Sequence, residues 1–303
     1  MTSFLNKKNI EGAGSQGPQG TQGTQGTQGI AGAQGSQGAQ GAAGGGINIS
    51  RPALDGYHIH VYNCDDVAGS ITLADSGSGN KAATLYGTEG TGYTIGTSYT
   101  AGRTVSSLRS LQKANASITS VAATDNTCNI AGGKITVECV VRHGDVLDSY
   151  KGQFFVTLVG ASNTDYAYLS THSVSGAYLF QVSIGGTSYY TSYQLTWLQT
   201  PQQGALVHLM GVYDKDQAAG SRVKLYINGI LVAWDGQNSA QYPGSGAQNI
   251  NPTSPLATMK KIYIGGYQSG NYSPECNIRD VRVSNIARPA SYAISTAEAL
   301  LAM

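Results

Sequence analysis

From Ile47 to Met303 the chain runs in short apolar and polar alternations broken by Gly, Ser, Asn and Asp. Tyr57-His58-Ile59-His60-Val61-Tyr62 alternates with period two, the spacing that sends successive side chains to opposite faces of a strand. Similar runs at Lys134 to Val141, Gln153 to Val159, Ala177 to Ile184 and Leu206 to Tyr213 predict further strands. Lys224-Leu225-Tyr226-Ile227 faces Ile230-Leu231-Val232-Ala233 across Asn228-Gly229. That dipeptide supplies the two positive φ angles of a type I′ turn, so this segment reads as a hairpin. Lys260 to Gly265 and Ile278 to Val283 add two strands, and only Pro289 to Met303, Ala/Leu-rich after Thr296, reads as a helix. Many strands, turn-rich joints and almost no helix predict a mainly β sandwich or jelly roll. Residues 47–303 are numerous enough to bury one large core.

The pattern before Ile47 is different. Every third residue from Gly14 to Gly44 is glycine, eleven in succession. A strict period of three is what three intertwined polyproline-II strands require, because only hydrogen fits at their crowded axis. The segment resembles a collagen-like stalk, and the resemblance implies three copies of the chain. Pro18 is the one proline in the ten triplets, and Gln fills the third position in eight of them. Few dihedrals are fixed in advance, so winding costs more entropy than in a proline-rich repeat. No charged side chain lies between Glu11 and Arg51, so register must be set at the ends of the stalk. Ordered, the triplets would span at most about 95 Å at roughly 3.1 Å per residue. A disordered Gln/Gly tether is the competing reading of the same composition.

Charged residues make up 12 % of the chain and the net charge is +1. Nothing in that balance suggests a phosphate-binding surface, so nucleic acid is not an expected partner. No apolar run reaches the eighteen or so residues of a membrane span, so no membrane insertion is expected. The start, MTSFLNKKNIEG, lacks the apolar stretch of a secretory signal. Its apolar residues Phe4, Leu5 and Ile10 cannot form a core by themselves, and they read as a plug that docks residues 1–13 into a larger assembly; a frayed terminus is the alternative. The four cysteines, Cys64, Cys128, Cys139 and Cys276, allow three disulfide pairings. Cys128 and Cys139 flank Gly132-Gly133 and could meet across a hairpin there, but free, buried thiols are the expectation for a chain assembled in cytoplasm.

A second resemblance lies in the β region. Val207-His208-Leu209-Met210-Gly211-Val212-Tyr213-Asp214 followed by Lys224-Leu225-Tyr226-Ile227-Asn228-Gly229 is similar to the "W-H-H-V-A-G-V-Y-D … L-Y-V-N-G" signature of laminin-G-like domains. Ile262-Tyr263-Ile264-Gly265-Gly266 and the run from Asn277 to Pro289 resemble the closing "I-G-G … I-D-E-V-R-V-S-N-x-A-R" of the same family. Asp75 to Asn80 matches its entry loop, while the tryptophan expected before His208 is missing. The resemblance covers roughly residues 54–290. It implies a concanavalin A-like β-sandwich, so the expected organisation is a docking peptide (1–13), a collagen-like triple-helical stalk (14–46) and a jelly-roll head with a short C-terminal helix (47–303).

Catalysis would need paired carboxylates or an activated nucleophile. The glucanase branch of that superfamily uses an E-x-D-x-x-E strand; here Glu11, Glu89, Glu138, Glu275 and Glu298 are scattered singly. No enzyme is expected, and no catalytic residue is assigned. His58 and His60, at i and i+2, could chelate a metal but read as ordinary strand residues. Asp65-Asp66 and Asp214/Asp216 are the paired acids that could hold calcium, as in some laminin-G-like domains, and turn geometry accounts for them equally well. No metal or cofactor is expected. Asp280 stands at the family's "I-D-E" aspartate, and its expected role is a structural hydrogen bond. Sugar sites stack aromatic rings on C–H faces and meet hydroxyls with amides. Two loops combine those groups: Tyr267, Gln268, Asn271 and Tyr272, and Tyr189, Tyr190 and Tyr193.

Together the two resemblances look like the collagen-repeat fibres of tailed bacteriophages with lectin-like tips. The expectation is a homotrimeric virion fibre or spike, assembled in the host cytoplasm without a signal peptide. Its partners would be itself, a virion structural protein at the N-terminus and host-surface carbohydrate. A capsid decoration fibre without a specific ligand, or a bacterial surface or spore-coat filament, are the alternatives.

Overall fold

The computed structural model describes residues 51–66, 70–86, 93–100, 103–110, 122–143, 153–171, 177–193, 205–234, 252–266 and 276–302. The chain divides into two units, Met1–Ile47 and Asn48–Met303. All described residues belong to the second; the docking peptide (1–13) and the stalk (14–46) lie outside them.

Two antiparallel sheets form the head. The first contains β1 (His58–Tyr62), β4 (Tyr93–Thr100), β5 (Arg103–Ser110), β8 (Lys134–His143), β13 (Leu206–Asp214), β14 (Val223–Ile227), β15 (Ile230–Trp234) and β17 (Cys276–Ser284). Its order is β15-β14-β13-β8-β17-β5-β4, with β1 also pairing β17. The second contains β2 (Thr72–Leu73), β3 (Ala83–Leu85), β6 (Ala122–Ala123), β7 (Ile130–Gly132), β9 (Phe154–Gly160), β10 (Tyr166–Thr171), β11 (Tyr178–Ile184), β12 (Thr187–Tyr193) and β16 (Leu256–Ile264). It is ordered β12-β11-β10-β9-β16-β6-β3-β2, with β7 also on β16. The expected mainly β sandwich is present.

The core follows from alternation. Ile135, Val137, Cys139 and Val141 of β8 point inward beside Val207, Leu209 and Tyr213 of β13, and meet Val156, Leu158, Leu169, Phe180 and Val182 of the second sheet. Gly211 of β13 lets the second sheet approach closely. A Cβ there would meet the Phe180 ring at 2.1 to 2.5 Å, so the ring packs on bare backbone. Asn228 and Gly229 have φ of 50° and 81°, so the predicted type I′ hairpin forms between β14 and β15.

The Gly132-Gly133 segment is not the hairpin that the cysteine spacing allowed. It carries the chain from β7 in the second sheet to β8 in the first. Cys64, Cys128 and Cys139 are buried free thiols, as expected, and burial pushes the Cys64 thiol pKa well up.

The C-terminal helix α1 (Ala290–Ala302) closes the outer face of the first sheet. Ala293, Thr296, Ala297 and Leu300 form its buried stripe, with Met210, Val212 and Tyr226 packing beneath it. Arg279 donates to the Leu300 carbonyl near the helix C-terminus, where a cation is favoured. The same cover hides a polar network. Glu138, fully buried, accepts hydrogen bonds from Tyr292 Oη (2.6 Å) and His208 Nε2 (3.0 Å). Burial raises the Glu138 pKa, but His208, the Arg282 charge and Tyr292 outweigh it and hold the group below its ordinary value. The Tyr292 hydroxyl, having given its proton to Glu138, accepts one from His58 Nε2 at 2.9 Å. Arg288 clamps Asp55 with two hydrogen bonds (2.6 and 2.7 Å) and stacks 4.4 Å over the Tyr292 ring.

A register shift in β1 separates the two strand histidines. His58 joins the network under α1, whereas His60 turns to Asp75, whose carboxylate lies 2.7 Å from its Nδ1. The Asp75 carboxylate also accepts the N–H groups of Val61, Gly77 and Lys81, which shapes the entry loop. Asp280, buried with φ 50°, accepts from Arg51 Nε at 2.6 Å and is structural, as expected.

The close contact at Gly211 predicts that Gly211→Ala lowers unfolding free energy by about 1–3 kcal/mol. Urea denaturation measures it, and Phe180→Leu in the same chain should recover part of the loss. The two histidines make stability depend on pH in opposite senses. Burial lowers the His60 pKa, but the Asp75 carboxylate and the Cys128 side chain outweigh it and raise the value to about 9. Its contribution is therefore full below 6.5 and is lost as pH rises through about 9. Burial and Arg288 hold His58 below 6.5, so its contribution is full above that value and fades as pH falls. Melting temperature should peak near pH 6.5, between these two limbs. His60→Gln should flatten the alkaline limb alone; a variant with an unchanged alkaline limb contradicts the assignment.

Candidate functional site

With one face of the first sheet under α1, the outer face of the second sheet is the other candidate surface; of its outward side chains Tyr166, Ser188, Tyr190, Lys261 and Tyr263 are partly exposed, while Thr157, Val159, Tyr168, Gln181 and Ser183 are buried. Cross-strand register arranges them in rows, because residues paired in an antiparallel ladder point the same way. Tyr190 of β12 pairs with Gln181 of β11, Gln181 with Tyr168 of β10, Tyr168 with Thr157 of β9, and Thr157 with Tyr263 of β16. The adjacent outward row is Ser188, Ser183, Tyr166, Val159 and Lys261. Between them runs an inward row, Tyr189, Val182, Ala167, Leu158 and Ile262, which packs into the core.

The outward rows hold one another in place. The Tyr166 and Tyr168 rings stack at 5.5 Å with 18° between their planes, and Phe154 meets Tyr168 edge-on at 4.8 Å. Tyr168 Oη donates to Gln181 Oε1 (2.6 Å), and Gln181 Nε2 donates to Tyr166 Oη (3.1 Å). Tyr166 Oη also lies 3.1 Å from Ser188 Oγ. Both ends of the Gln181 amide are thus fixed, and with them the two phenols. Tyr166, Tyr190 and Tyr263 remain half-buried, offering ring surface to solvent.

At the β9–β16 end the rows open into a recess of about 300 Å³, bordered by Asn126, Asn163, Lys260, Lys261 and Tyr263. Its wall is the turn after β9. Asn163 there has φ 56° and its N–H bonds the Gly160 carbonyl at 3.3 Å. Asp165, at the foot of that turn, accepts the N–H groups of Gly185 (2.7 Å) and Ala257 (2.6 Å). None of the residues in the two outward rows is a carboxylate. This surface is equipped to stack and hydrogen-bond.

The tyrosines named from the sequence are divided by alternation. Tyr190 stands in the outward row, while Tyr189 and Tyr193 lie on the inward side, packed against the core. Tyr267, Gln268, Asn271 and Tyr272 lie outside the described residues, as do Phe4, Leu5 and Ile10. Tyr166, Tyr168, Gln181 and Tyr263 were not anticipated, although Tyr166-Ala167-Tyr168 has the i, i+2 spacing that puts both rings on one face. The acid pairs considered for calcium have cationic partners: Asp65 with Arg51 at 2.8 Å, and Asp214 and Asp216 with Lys134 at 3.3 Å each. Among the described residues no group of three or more His, Cys, Asp or Glu could hold a metal ion.

Comparison with solved structures finds the same fold at low identity. The receptor-binding domain of botulinum neurotoxin D superposes with a TM-score of 0.56 at 11 % identity, covering 81 % of this chain and 53 % of that one. The serotype D ligand-binding domain in complex with N-acetylneuraminic acid gives 0.53 at 13 %, over 80 % and 51 %. The serotype G binding domain gives 0.52 at 10 %, over 80 % and 50 %. The chain therefore spans about half the length of these domains, and the likeness concerns the fold alone. No curated protein matches the chain in sequence. The sequence profile of the Laminin_G_3 family, described as concanavalin A-like lectin/glucanases superfamily, matches residues 115–292. With that match extending over β6 to β17 of the sandwich, the chain belongs to the Laminin_G_3 family of the concanavalin A-like superfamily.

Proposed function

We propose that this chain is a lectin-like carbohydrate-binding protein that engages glycans on the outer face of its second sheet and catalyses no reaction. The observation that carries the reading is the Tyr166–Tyr168 stack, locked by Gln181 and Ser188 and flanked by Tyr190. The half-buried rings of Tyr166 and Tyr190 meet the C–H face of a sugar, Tyr166 with its rotamer already fixed by the stack on the buried Tyr168, and phenol and hydroxyl groups meet the sugar's hydroxyls. Family membership supports the reading, as does a fold neighbour whose structure contains N-acetylneuraminic acid. Glu138, paired with His208, is fully buried and serves the packing of α1, and the Asp75 side chain, paired with His60, is buried as well, which leaves both out of reach of a substrate.

The wider proposal concerns the whole chain. Residues 14–46 wind with two other copies into a collagen-like stalk, and residues 1–13 dock it on a virion through Phe4, Leu5 and Ile10. Three heads then present weak sites to host-surface glycans at high effective concentration. The glycine period supports the trimer, since a single chain gains nothing from it. The particle is assembled in the host cytoplasm and carries the fibre out.

On a glycan array the full chain should bind a restricted set of oligosaccharides. Tyr190→Ala and Tyr166→Ala should each weaken that binding by roughly five- to tenfold, about 1 kcal/mol per ring, with melting curves confirming a folded head. Silence of the wild-type chain on arrays and on host envelopes would favour a decoration fibre without a ligand. Mass photometry should give the mass of three chains. Gly26→Asp, which places a side chain on the stalk axis, should lower trimer content and cut apparent affinity for a glycan-coated surface by about 10²-fold or more. A wild-type monomer or dimer would remove the stalk and the avidity argument together.

A further inference from the structure

We infer that the recess at the end of the tyrosine rows is a subsite for an acidic sugar, and that it takes the carboxylate of a sialic or uronic acid residue. The inference rests on the glycan-binding reading above and adds the chemical class of the ligand. A bulge in β16 creates the site. Met259 pairs with Gly160 and Lys261 with Val159, so Lys260 is an extra residue with no partner opposite it. In a regular strand Lys260 and Lys261 would point to opposite faces; with the inserted residue both border the same recess.

Neither ammonium is neutralised by an ion pair among the described residues. Lys260 Nζ rests on the Asn129 side-chain oxygen, and Lys261 Nζ lies 5.1 Å from the centroid of the Tyr263 ring. The carboxylate that senses Lys261 is Asp125, which already sits 3.9 Å from Lys81 and accepts from Thr127. The recess is left with surplus positive charge. It measures about 300 Å³, room for one monosaccharide. Asn126 and Asn163 offer amides to hydroxyl or acetamido groups, and the turn that holds Asn163 is tied down through Asp165.

Position gives the site its meaning. Tyr263 is both a wall of the recess and the last member of the row that begins at Tyr190. An oligosaccharide whose terminal acidic residue lies over Lys260 and Lys261 meets the half-buried rings of Tyr263 and Tyr166 with its neutral sugars, since Thr157, Tyr168 and Gln181, between Tyr263 and Tyr190, are buried. The lysines then decide acid against neutral, and the tyrosines contribute to both.

The test uses the full chain and two matched ligand pairs: 3′-sialyllactose with lactose, and a hyaluronan tetrasaccharide with its carboxyl-reduced form. Calorimetry or ligand-observed NMR should give at least a tenfold preference for the acidic member of one pair, and which pair it is separates sialic from uronic acid. That preference should weaken with added salt, drop several-fold in Lys261→Gln and vanish in Lys260→Gln/Lys261→Gln. Tyr166→Ala should weaken acidic and neutral ligands alike. Equal binding of acidic and neutral members, or a preference that survives in the double variant, overturns the subsite and leaves the glycan-binding face standing. Absence of binding to these ligands and to every glycan of an array overturns both.

Discussion

Antiparallel register, with its strict period of two, is the constraint on which this head depends. Four strands of the second sheet are paired so that Val182, Ala167, Leu158 and Ile262 fall in one row and Gln181, Tyr168, Thr157 and Tyr263 in the next. Slipping one strand by a residue would exchange the rows, driving an amide and a phenol into the core and leaving aliphatic side chains in water. The inner rows fix the register by burial, and the outer rows inherit it. Geometry at the outer face is therefore set by hydrophobic packing on the far side of the same strands.

The two sheets use their outer faces differently. The first is sealed by α1, and sealing it required Glu138, His208, Tyr292 and His58 to satisfy one another away from water. Buried charges persist only when paired and hydrogen-bonded, and each bond here also specifies how the helix sits. A carboxylate, an imidazole and a phenol in contact would resemble a reactive centre if they opened to solvent; covered by Ala293, Thr296, Ala297 and Leu300 they serve as a docking mortise. The second sheet has rings and amides in the equivalent place, and these suit reversible contact.

Irregularities of the ladder supply what regular strands cannot. The shift in β1 separates His58 from His60 and gives each a different partner. The shift in β17 places Asp280 at positive φ, where its carboxylate receives Arg51. The inserted residue in β16 brings consecutive lysines to one recess. Each bulge turns a side chain away from the face that its sequence position would assign.

Those shifts mark the boundary between what could be read in the chain and what could not. Period-two runs such as Lys134 to Val141 and Leu206 to Tyr213, the Asn228-Gly229 turn and the Pro289 to Met303 helix were legible because local sterics and alternation dictate them. The Val207 to Asp214 signature pointed to the family for the same reason, its inward residues being core residues. The candidate site was legible only in part. Tyr190 could be named, but its separation from Tyr189 and Tyr193 needed the strand's orientation, which tertiary burial decides. Gln181 and Tyr168 are 13 positions apart in the chain and become neighbours only through the β10–β11 pairing. Local pattern determined which elements form, because it acts between adjacent residues; which side chains meet was left to the packing of the sheets, because that depends on partners distant in sequence.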